Sequence, residues 1–218
     1  MPSVIVEAAV ARFDDALAAE RDGVDRIELC GPLHDGGTTP DSGLLARVME
    51  RVVIPVHVLI RPRAGDFVYH AAERAAMKAS IARARASGAA GIATGALTAE
   101  RDVDVALMRD LVEAARPMRV CFHRAFDQIA DPLEALEQLI AIGIDFVLTS
   151  GGTATAMEGA DRLRALVERA RGRLTIVAAG SITATTVCEI VARTRVDHVH
   201  GRGFHGLRAA LVNCSSCG

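Results

Sequence analysis

The stretch LIAIGIDFVLTSGG, residues 139–152, contains the repeating unit that decides the fold. Its first residues belong to a segment with the helical spacing of apolar side chains (132–142), and Gly143 follows it as a typical helix-ending residue. The apolar run FVLTS, 146–150, is typical of a buried strand. A Gly-rich loop and a second helical segment, 156–170, come next. Strands that alternate with helices in this way indicate a parallel sheet.

The same unit recurs along the whole chain, and we identify eight strand candidates. They are 4–10, 26–30, 55–60, 91–95, 119–123, 146–150, 174–179 and 197–201. Neither a Pro/Gly/Ser-rich linker nor a shift in composition divides them, and no glycine fingerprint of an open dinucleotide-binding sheet follows the first strand. We therefore predict an α/β fold, a single (β/α)8 TIM barrel over residues 1–218. Its strands should end near residues 10, 30, 60, 95, 123, 150, 179 and 200.

The end of the chain leaves little room for a last helix. We expect the eighth helix to be short or absent, and residues 213–218 to form a flexible tail. The tail contains CSSC, 214–217, whose spacing also suits a soft metal or redox chemistry.

Composition excludes several classes of function. Half of the residues are apolar, and 25 basic residues stand against 27 acidic ones. With one Tyr, six Phe and no Trp, the chain lacks the positive charge and the stacking residues of a nucleic-acid binder. No apolar run approaches the ~20 residues that span a bilayer, and the N-terminus lacks a basic leader, so we predict no membrane role and a cytoplasmic location. The odd number of Cys, five, predicts free thiols in a reducing compartment.

Polar side chains recur where the predicted strands end. In a parallel barrel these ends meet at one mouth, which is where such barrels place their active sites. Glu7 lies in the second half of strand one, Glu28 and Cys30 share a face of strand two, His123 ends strand five and His200 lies on strand eight. Glu7, Glu28 and His123 are our candidates for catalytic acid–base groups. The alternative interpretation is that charged residues follow strands because strands end in water.

Two arginines follow strand three in the motif RPR. Arg61 and Arg63 are permanently charged and suit the binding of a carboxylate or phosphate. Alternatively they form internal ion pairs with Glu7 and Glu28, and we expect such a pair because all four side chains should project into the mouth.

Small residues fill the loops after strands six, seven and eight, TSGGTAT, AAGSIT and HGRGFHG. Exposed backbone N–H groups next to helix starts bind anions, so Gly180 and Ser181 are candidates for anion binding. Gly-rich turns are also ordinary connections between a strand and a helix, and that interpretation stays open.

Several long motifs together resemble the copper homeostasis protein CutC family. They are DRIELCGPLHDGGTTPDSGLL, IPVHVLIRPRAGDFVY, GIATGALT, FHRAFD, VLTSGG and HVHGRG, in family order over roughly residues 4 to 203. The resemblance implies a TIM barrel, a cytoplasmic location, a homodimer and an association with copper. Carried over residue by residue, it implies that the family's polar mouth falls on Glu7, Glu28, Cys30, Arg61, Arg63, His123, Arg124 and His200. Arg124 and His200 are therefore candidates, with Arg61 and Arg63, for binding a small anionic ligand.

One departure from the family pattern concerns copper. Family members commonly have a Cys two residues after the first-strand Glu, and here Ala9 takes that place. The remaining candidate ligands for Cu(I) in the barrel are Cys30, Cys121 and His123. We expect weak copper binding there, with Cys214 and Cys217 as the alternative ligands.

Two functions of different classes remain. The first is a copper homeostasis protein that binds Cu(I) as its only cofactor. The second is an enzyme that acts on a small carboxylate or phosphate metabolite by acid–base chemistry. Two fixed positive charges beside a Cu(I) site have no evident purpose, and the polar residues fit the enzyme better.

Overall fold

The computed structural model describes residues 4–34 and 36–215 and forms a closed barrel of parallel strands in sequential order, β1 to β8. The strands are β1 (Ile5–Val10), β2 (Arg26–Leu29), β3 (Val56–Leu59), β4 (Gly91–Thr94), β5 (Arg119–Phe122), β6 (Phe146–Thr149), β7 (Thr175–Ala178) and β8 (His198–Gly201). The predicted (β/α)8 barrel is thus confirmed, and each strand ends within one residue of the predicted position.

Helices alternate with the strands along the chain. They are α1 (Phe13–Arg21), α2 (Ser42–Arg51), α3 (Ala71–Ala86), α4 (Val105–Ala115), α5 (Pro132–Ala141), α6 (Ala160–Ala170), α7 (Val187–Thr194) and α8 (Leu207–Ser215), with a short 3-10 helix at Arg124–Gln128 after β5. Aspartates begin three of the helices: the side chains of Asp41, Asp104 and Asp131 accept backbone N–H groups of the first turn.

Successive side chains of each strand point alternately toward the helices and toward the barrel axis. Val6, Ala8 and Val10 of β1 belong to the main apolar core, which also contains the buried faces of the helices. The alternate positions face the barrel axis. There a smaller apolar cluster gathers Cys30, Leu59, Ala93, Cys121, Leu148, Val177 and Ala179. Polar side chains take inward positions on β1, β2, β3 and β8: Glu7, Arg26, Glu28, His57 and His200.

The end of the chain differs from the prediction in two respects. α8 exists and is short, and it continues through Ser215, so residues 213–215 are helical where we expected a tail; residues 216–218 lie outside the described residues. Cys214 on α8 forms a disulfide with Cys188 on α7, so the prediction that all thiols are free was wrong. The pairing arises because α8 packs beside α7 and brings the two Cα atoms to 6.1 Å. No described helix is long and apolar enough to cross a membrane.

Candidate functional site

A cavity of about 820 Å³ lies at the barrel mouth, the end of the barrel where the strands have their C-termini. Glu28, Arg61, His123, Arg124, Gly180, Ser181 and His200, all predicted from the sequence, line it. The predicted residues Glu7, Cys30 and Cys121 are buried in the barrel and are not part of the cavity lining, and Arg63 lies outside it as well.

Glu7 is the centre of a buried charged network. Sheet register places it opposite Arg26 on β2 and His200 on β8. The Nε–H of Arg26 donates to Glu7 Oε2 at 2.5 Å, and His200 Nδ1 lies 2.7 Å from Glu7 Oε1. Burial by itself would raise the pKa of Glu7, but Arg26 and His200 hold that pKa well below its usual range. Glu7 is therefore a fixed carboxylate that accepts the Nδ1–H of His200.

Glu28 lies on the other side of His200, at the floor of the cavity. Its Oε2 atom is 3.8 Å from His200 Nε2 and accepts the thiol of Cys30 at 3.5 Å. Burial first, and the nearby charge of Glu7, raise the pKa of Glu28. Burial opposes protonation of His200, yet its hydrogen bond to Glu7 and the charge of Glu28 raise the pKa of the imidazole. The protonation of each group therefore depends on that of the other.

His123 has the opposite electrostatic environment. Burial, with a contribution from the positive charge of Arg61, lowers the pKa of His123 to about 3, so the ring is neutral near pH 7. Its Nδ1 atom accepts the N–H of Ala125, which leaves the ring proton on Nε2. Nε2 is buried and has no acceptor among the described residues, while the ring packs against Phe67 with centroids 4.9 Å apart.

The expected ion pairs of Arg61 and Arg63 with Glu7 and Glu28 do not occur among the described residues. The guanidinium of Arg61 donates to the carbonyls of Gly37 and Gly65 and lies over the ring of Phe67. The prediction was wrong because Arg26, which the sequence analysis missed, lies directly opposite Glu7 in register and takes the place of the ion-pair partner. Arg63 pairs with Asp66 and Glu73 on its own loop and helix.

Arg124 lines the cavity, and hydrogen bonds hold its side chain in place. Its Nε–H donates to Asp127 Oδ2 at 2.7 Å, and its NH2 group donates to Ser150 Oγ at 2.9 Å. Asp127 also accepts the hydroxyl of Thr149 and the N–H of Gly152, so it fixes the loop after β6. The Asp127 carboxylate therefore neutralises much of the charge that Arg124 brings to the cavity.

The thiols do not form a ready metal site. Burial raises the pKa of Cys30 well above its ordinary value, and the charge of Glu28 adds to the shift. Burial, followed by the charges of Glu7 and Glu28, does the same to the pKa of Cys121. Both thiols are therefore protonated near pH 7, whereas Cu(I) prefers thiolate. In residues 4–34 and 36–215 no group of three or more His, Cys, Asp or Glu is placed to hold a metal ion. Cys214 is engaged in the disulfide, and Cys217 lies outside the described residues.

Two arginines of the site were missed in the sequence. Arg26 shares a strand face with Glu28, so the same period of two that selected Glu28 also indicates Arg26. Arg202 follows β8 in the motif HGRG and lines the cavity with an exposed side chain. No signal within the sequence distinguishes Arg202 from the paired arginines Arg61 and Arg63, since pairing depends on loop geometry.

Comparison with known proteins agrees with this architecture. The model of the CutC family matches residues 4–204. The chain belongs to the CutC family. The "Copper homeostasis protein cutC homolog" of Homo sapiens is 43% identical over 196 residues, 90% of this chain and 72% of that protein. A family protein CutC of Xanthomonas campestris pv. campestris (strain B100) is 44% identical over 200 residues, 91% of this chain and 83% of that one.

Solved structures extend the comparison to the fold. A structure named for the copper homeostasis protein CutC of Streptococcus agalactiae superposes with a TM-score of 0.87 at 31% identity, covering 92% of this chain and 99% of that one. Phosphoribosyl anthranilate isomerase of Thermococcus kodakaraensis has a TM-score of 0.62 at 17% identity, covering 99% and 100%. The second likeness concerns the TIM barrel alone. In this CutC chain, Ala9 lines the cavity directly above Glu7 on the same strand face.

Proposed function

We propose that this CutC protein is an enzyme that moves a proton on a small anionic metabolite bound in the mouth cavity. The observation that carries the proposal is the array Glu7–His200–Glu28, in which a fixed carboxylate orients an imidazole beside a second carboxyl group, of raised pKa, at the cavity floor. Carboxyl groups with raised pKa values beside a cavity are suited to general acid–base work near neutral pH.

The chemistry assigned to each group follows from its protonation. Ionised Glu28 removes a proton from a carbon next to a carbonyl. The electron pair of the C–H bond forms a C=C bond, and the π pair of the carbonyl moves onto its oxygen. His200, held by Glu7, stabilises Glu28 in both protonation states, and Glu28 then returns its proton to the substrate. His123 contributes its unused Nε2–H as a neutral donor for the oxygen that gains charge.

Hydrogen–deuterium exchange tests this proposal without knowledge of the natural product. The protein is incubated in D2O with a panel of small 2-oxo acids and phosphorylated carbonyl compounds, and proton NMR follows the signal next to the carbonyl. We expect exchange with at least one compound, and a loss of about 100-fold or more in Glu28→Gln.

Glu100→Gln is the matched control, because Glu100 is exposed and lies outside the cavity. This control should exchange at the wild-type rate. Exchange that is equal in wild type and Glu28→Gln, or that is absent from the whole panel, would contradict the proposal.

A Cu(I)-binding role is the second candidate. It is supported by the names of the relatives, which refer to copper homeostasis, and by the free thiols Cys30 and Cys121 in one apolar cluster inside the barrel. Because both thiols must lose a proton on binding, affinity should increase with pH. Titration with Cu(I) against a competing chelator tests the role: tight binding that is lost in Cys30→Ser and in Cys121→Ser supports it, and binding unchanged by both substitutions contradicts it.

The cytoplasm remains our proposal for the location, and a homodimer for the assembly, as the family resemblance implies. Sedimentation velocity of the full chain checks the dimer.

A further inference from the structure

The loop after β7 presents backbone donors without internal acceptors. The N–H groups of Gly180, Ser181 and Ile182 make no hydrogen bond with any other described residue. The next N–H group along the chain, that of Thr183, donates to Thr186 Oγ1 at 3.0 Å. All three residues with free N–H groups line the mouth cavity. Backbone N–H groups that lack an internal acceptor require water or a ligand.

The conformation of this loop is fixed by its surroundings. Gly180 and Ser181 have consecutive positive φ values of 105° and 54°. A Cβ atom at Gly180 would lie 3.1 Å from the Ser150 side chain and 3.2 Å from the Ala156 nitrogen, so the close approach of the neighbouring loop requires glycine. Ser181 adopts the left-handed region with a side chain present, an unfavourable conformation that is concentrated at functional sites. Turns of this kind form concave groups of N–H donors that bind anions.

The loop after β8 lies beside it and adds positive charge. A Cβ atom at Gly201 would be 3.5 Å from the Ile182 carbonyl oxygen and 3.9 Å from the Gly203 nitrogen, which shows that the two loops are adjacent. Arg202 lines the cavity and has no hydrogen bond or ion pair with the described residues. A Cβ atom at Gly203 would meet nothing within 4 Å, so space is open there.

We infer that the loops 180–182 and 202–203 together bind the phosphate group of a phosphorylated metabolite. This inference rests on the proposed function and specifies its substrate class: a small phosphate monoester with a carbonyl group near enough to reach Glu28. A tetrahedral phosphate has three terminal oxygens and accepts several N–H groups and a guanidinium at once, whereas a planar carboxylate has two oxygens. Among the described residues, the cavity lining contains two carboxyl groups, Glu28 and Asp127. Asp127 is paired with Arg124, and neither group forms an ion pair with Arg202.

Titration with inorganic phosphate by calorimetry, with acetate as the carboxylate probe, tests the inference on the full chain. We expect saturable binding of phosphate and at least tenfold weaker binding of acetate. Arg202→Gln should weaken phosphate binding about tenfold, since it removes one charge at close range. Arg109→Gln is the matched control, because Arg109 is an exposed residue of α4 outside the cavity, and it should bind as the wild type does.

A second pair of variants tests the positive charge of the loop after β8. Gly203→Asp adds a carboxylate next to Arg202 in the chain, where space is open, and should weaken phosphate binding about tenfold. Gly203→Asn adds the same bulk without the charge and should weaken it less than twofold. Equal losses in both variants, phosphate binding that Arg202→Gln leaves unchanged, or no saturable phosphate binding would each overturn the inference.

The phosphate titration and the hydrogen–deuterium exchange experiment can fail independently of each other. Exchange of 2-oxo acids without phosphate binding would leave the acid–base function standing and refute the phosphate site. Phosphate binding that responds to Arg202→Gln and Gly203→Asp, without exchange of any compound, would support the site and refute the acid–base function.

Discussion

Two glutamates of the same sheet illustrate how position sets chemistry at the scale of the residue. Glu7 faces Arg26 and His200, and these partners hold its pKa low despite burial. Glu28 is also buried and forms no ion pair with an arginine among the described residues. Burial, together with the nearby charge of Glu7, raises its pKa. The pKa of a buried carboxyl group thus depends on the charges that the neighbouring strands place opposite it. Glu7 is thereby a structural anion, and Glu28 is the group to which we assign the proton transfer in the proposed function.

Removal of the charge of Glu7 should destabilise the fold. In Glu7→Gln the guanidinium of Arg26 keeps its burial but loses its charged acceptor, and a buried ion that loses its partner costs about 3 kcal/mol. Urea unfolding at pH 7 measures the effect. The exposed Glu100→Gln should change the free energy of unfolding by less than about 0.5 kcal/mol. A Glu7→Gln value as small as this control would show that Arg26 is solvated.

His123 predicts a dependence of stability on pH. Its pKa is about 3 in the folded state against 6.5 ordinarily, so below pH 6.5 the unfolded chain binds a proton that the folded one does not. The free energy of unfolding should therefore fall as the pH decreases from 6.5 toward 3, and this residue accounts for up to about 1.4 kcal/mol per pH unit. His123→Asn, which keeps an acceptor for Ala125, should show a shallower fall between pH 6 and 4. Parallel curves for the two proteins would contradict the assignment.

At the scale of the element, the loops of the mouth are held by side chains that end the strands. Arg61 follows β3 and donates to Gly37 in the loop after β2 and to Gly65 in the loop after β3. Asp127 performs the same task between the 3-10 helix and the loop after β6. Charged donors and acceptors of this kind hold backbone groups that the strands leave without partners. Arg61 and Asp127 therefore hold two groups of loops that surround the cavity.

Loss of Arg61 should loosen two loops at once. In Arg61→Ala, amides of residues 33–41 and 62–68 should exchange with deuterium at least about tenfold faster, because each hydrogen bond from a charged donor contributes about 1.5–3 kcal/mol. Exchange followed by mass spectrometry measures this. Arg63→Ala removes a more exposed arginine and should affect only its own loop and the start of α3. Acceleration of one loop alone in Arg61→Ala would show that the side chain does not bridge them.

At the scale of the whole molecule, the closed sheet makes every strand depend on two neighbours. β1 pairs with β8 as well as with β2, so the last strand completes the ring that the first one begins. The interior is divided: Leu59, Cys121, Leu148 and Val177 belong to an apolar group, while the polar network lies on β1, β2, β3 and β8. Closure is what brings Glu7 and His200 together across a sequence separation of 193 residues.

Closure also predicts cooperative unfolding. Because no strand is at an edge, we expect circular dichroism and tyrosine fluorescence from the buried Tyr69 to change in one coincident urea transition. His200→Ala should lower the midpoint for both signals together. Two separate transitions would indicate that part of the ring unfolds independently.

The sequence by itself determined the architecture, since the alternation of short apolar runs with helical segments has a period that fits a parallel barrel. It also determined which strand-end residues line the mouth, Glu28, His123 and His200 among them, because alternate residues on a strand share a face. These inferences needed only local periodicity and the rule that strand ends meet at one mouth.

Tertiary structure alone decided the partners. Glu7 pairs with Arg26 rather than Arg61 because parallel register sets Arg26 opposite it, and one residue of shift would have changed that choice. The Cys188–Cys214 disulfide follows from the packing of α8 beside α7, which the spacing of the cysteines does not reveal. Ion pairs and disulfides depend on distances of a few ångströms between segments far apart in the chain. Such distances are fixed only when the barrel closes.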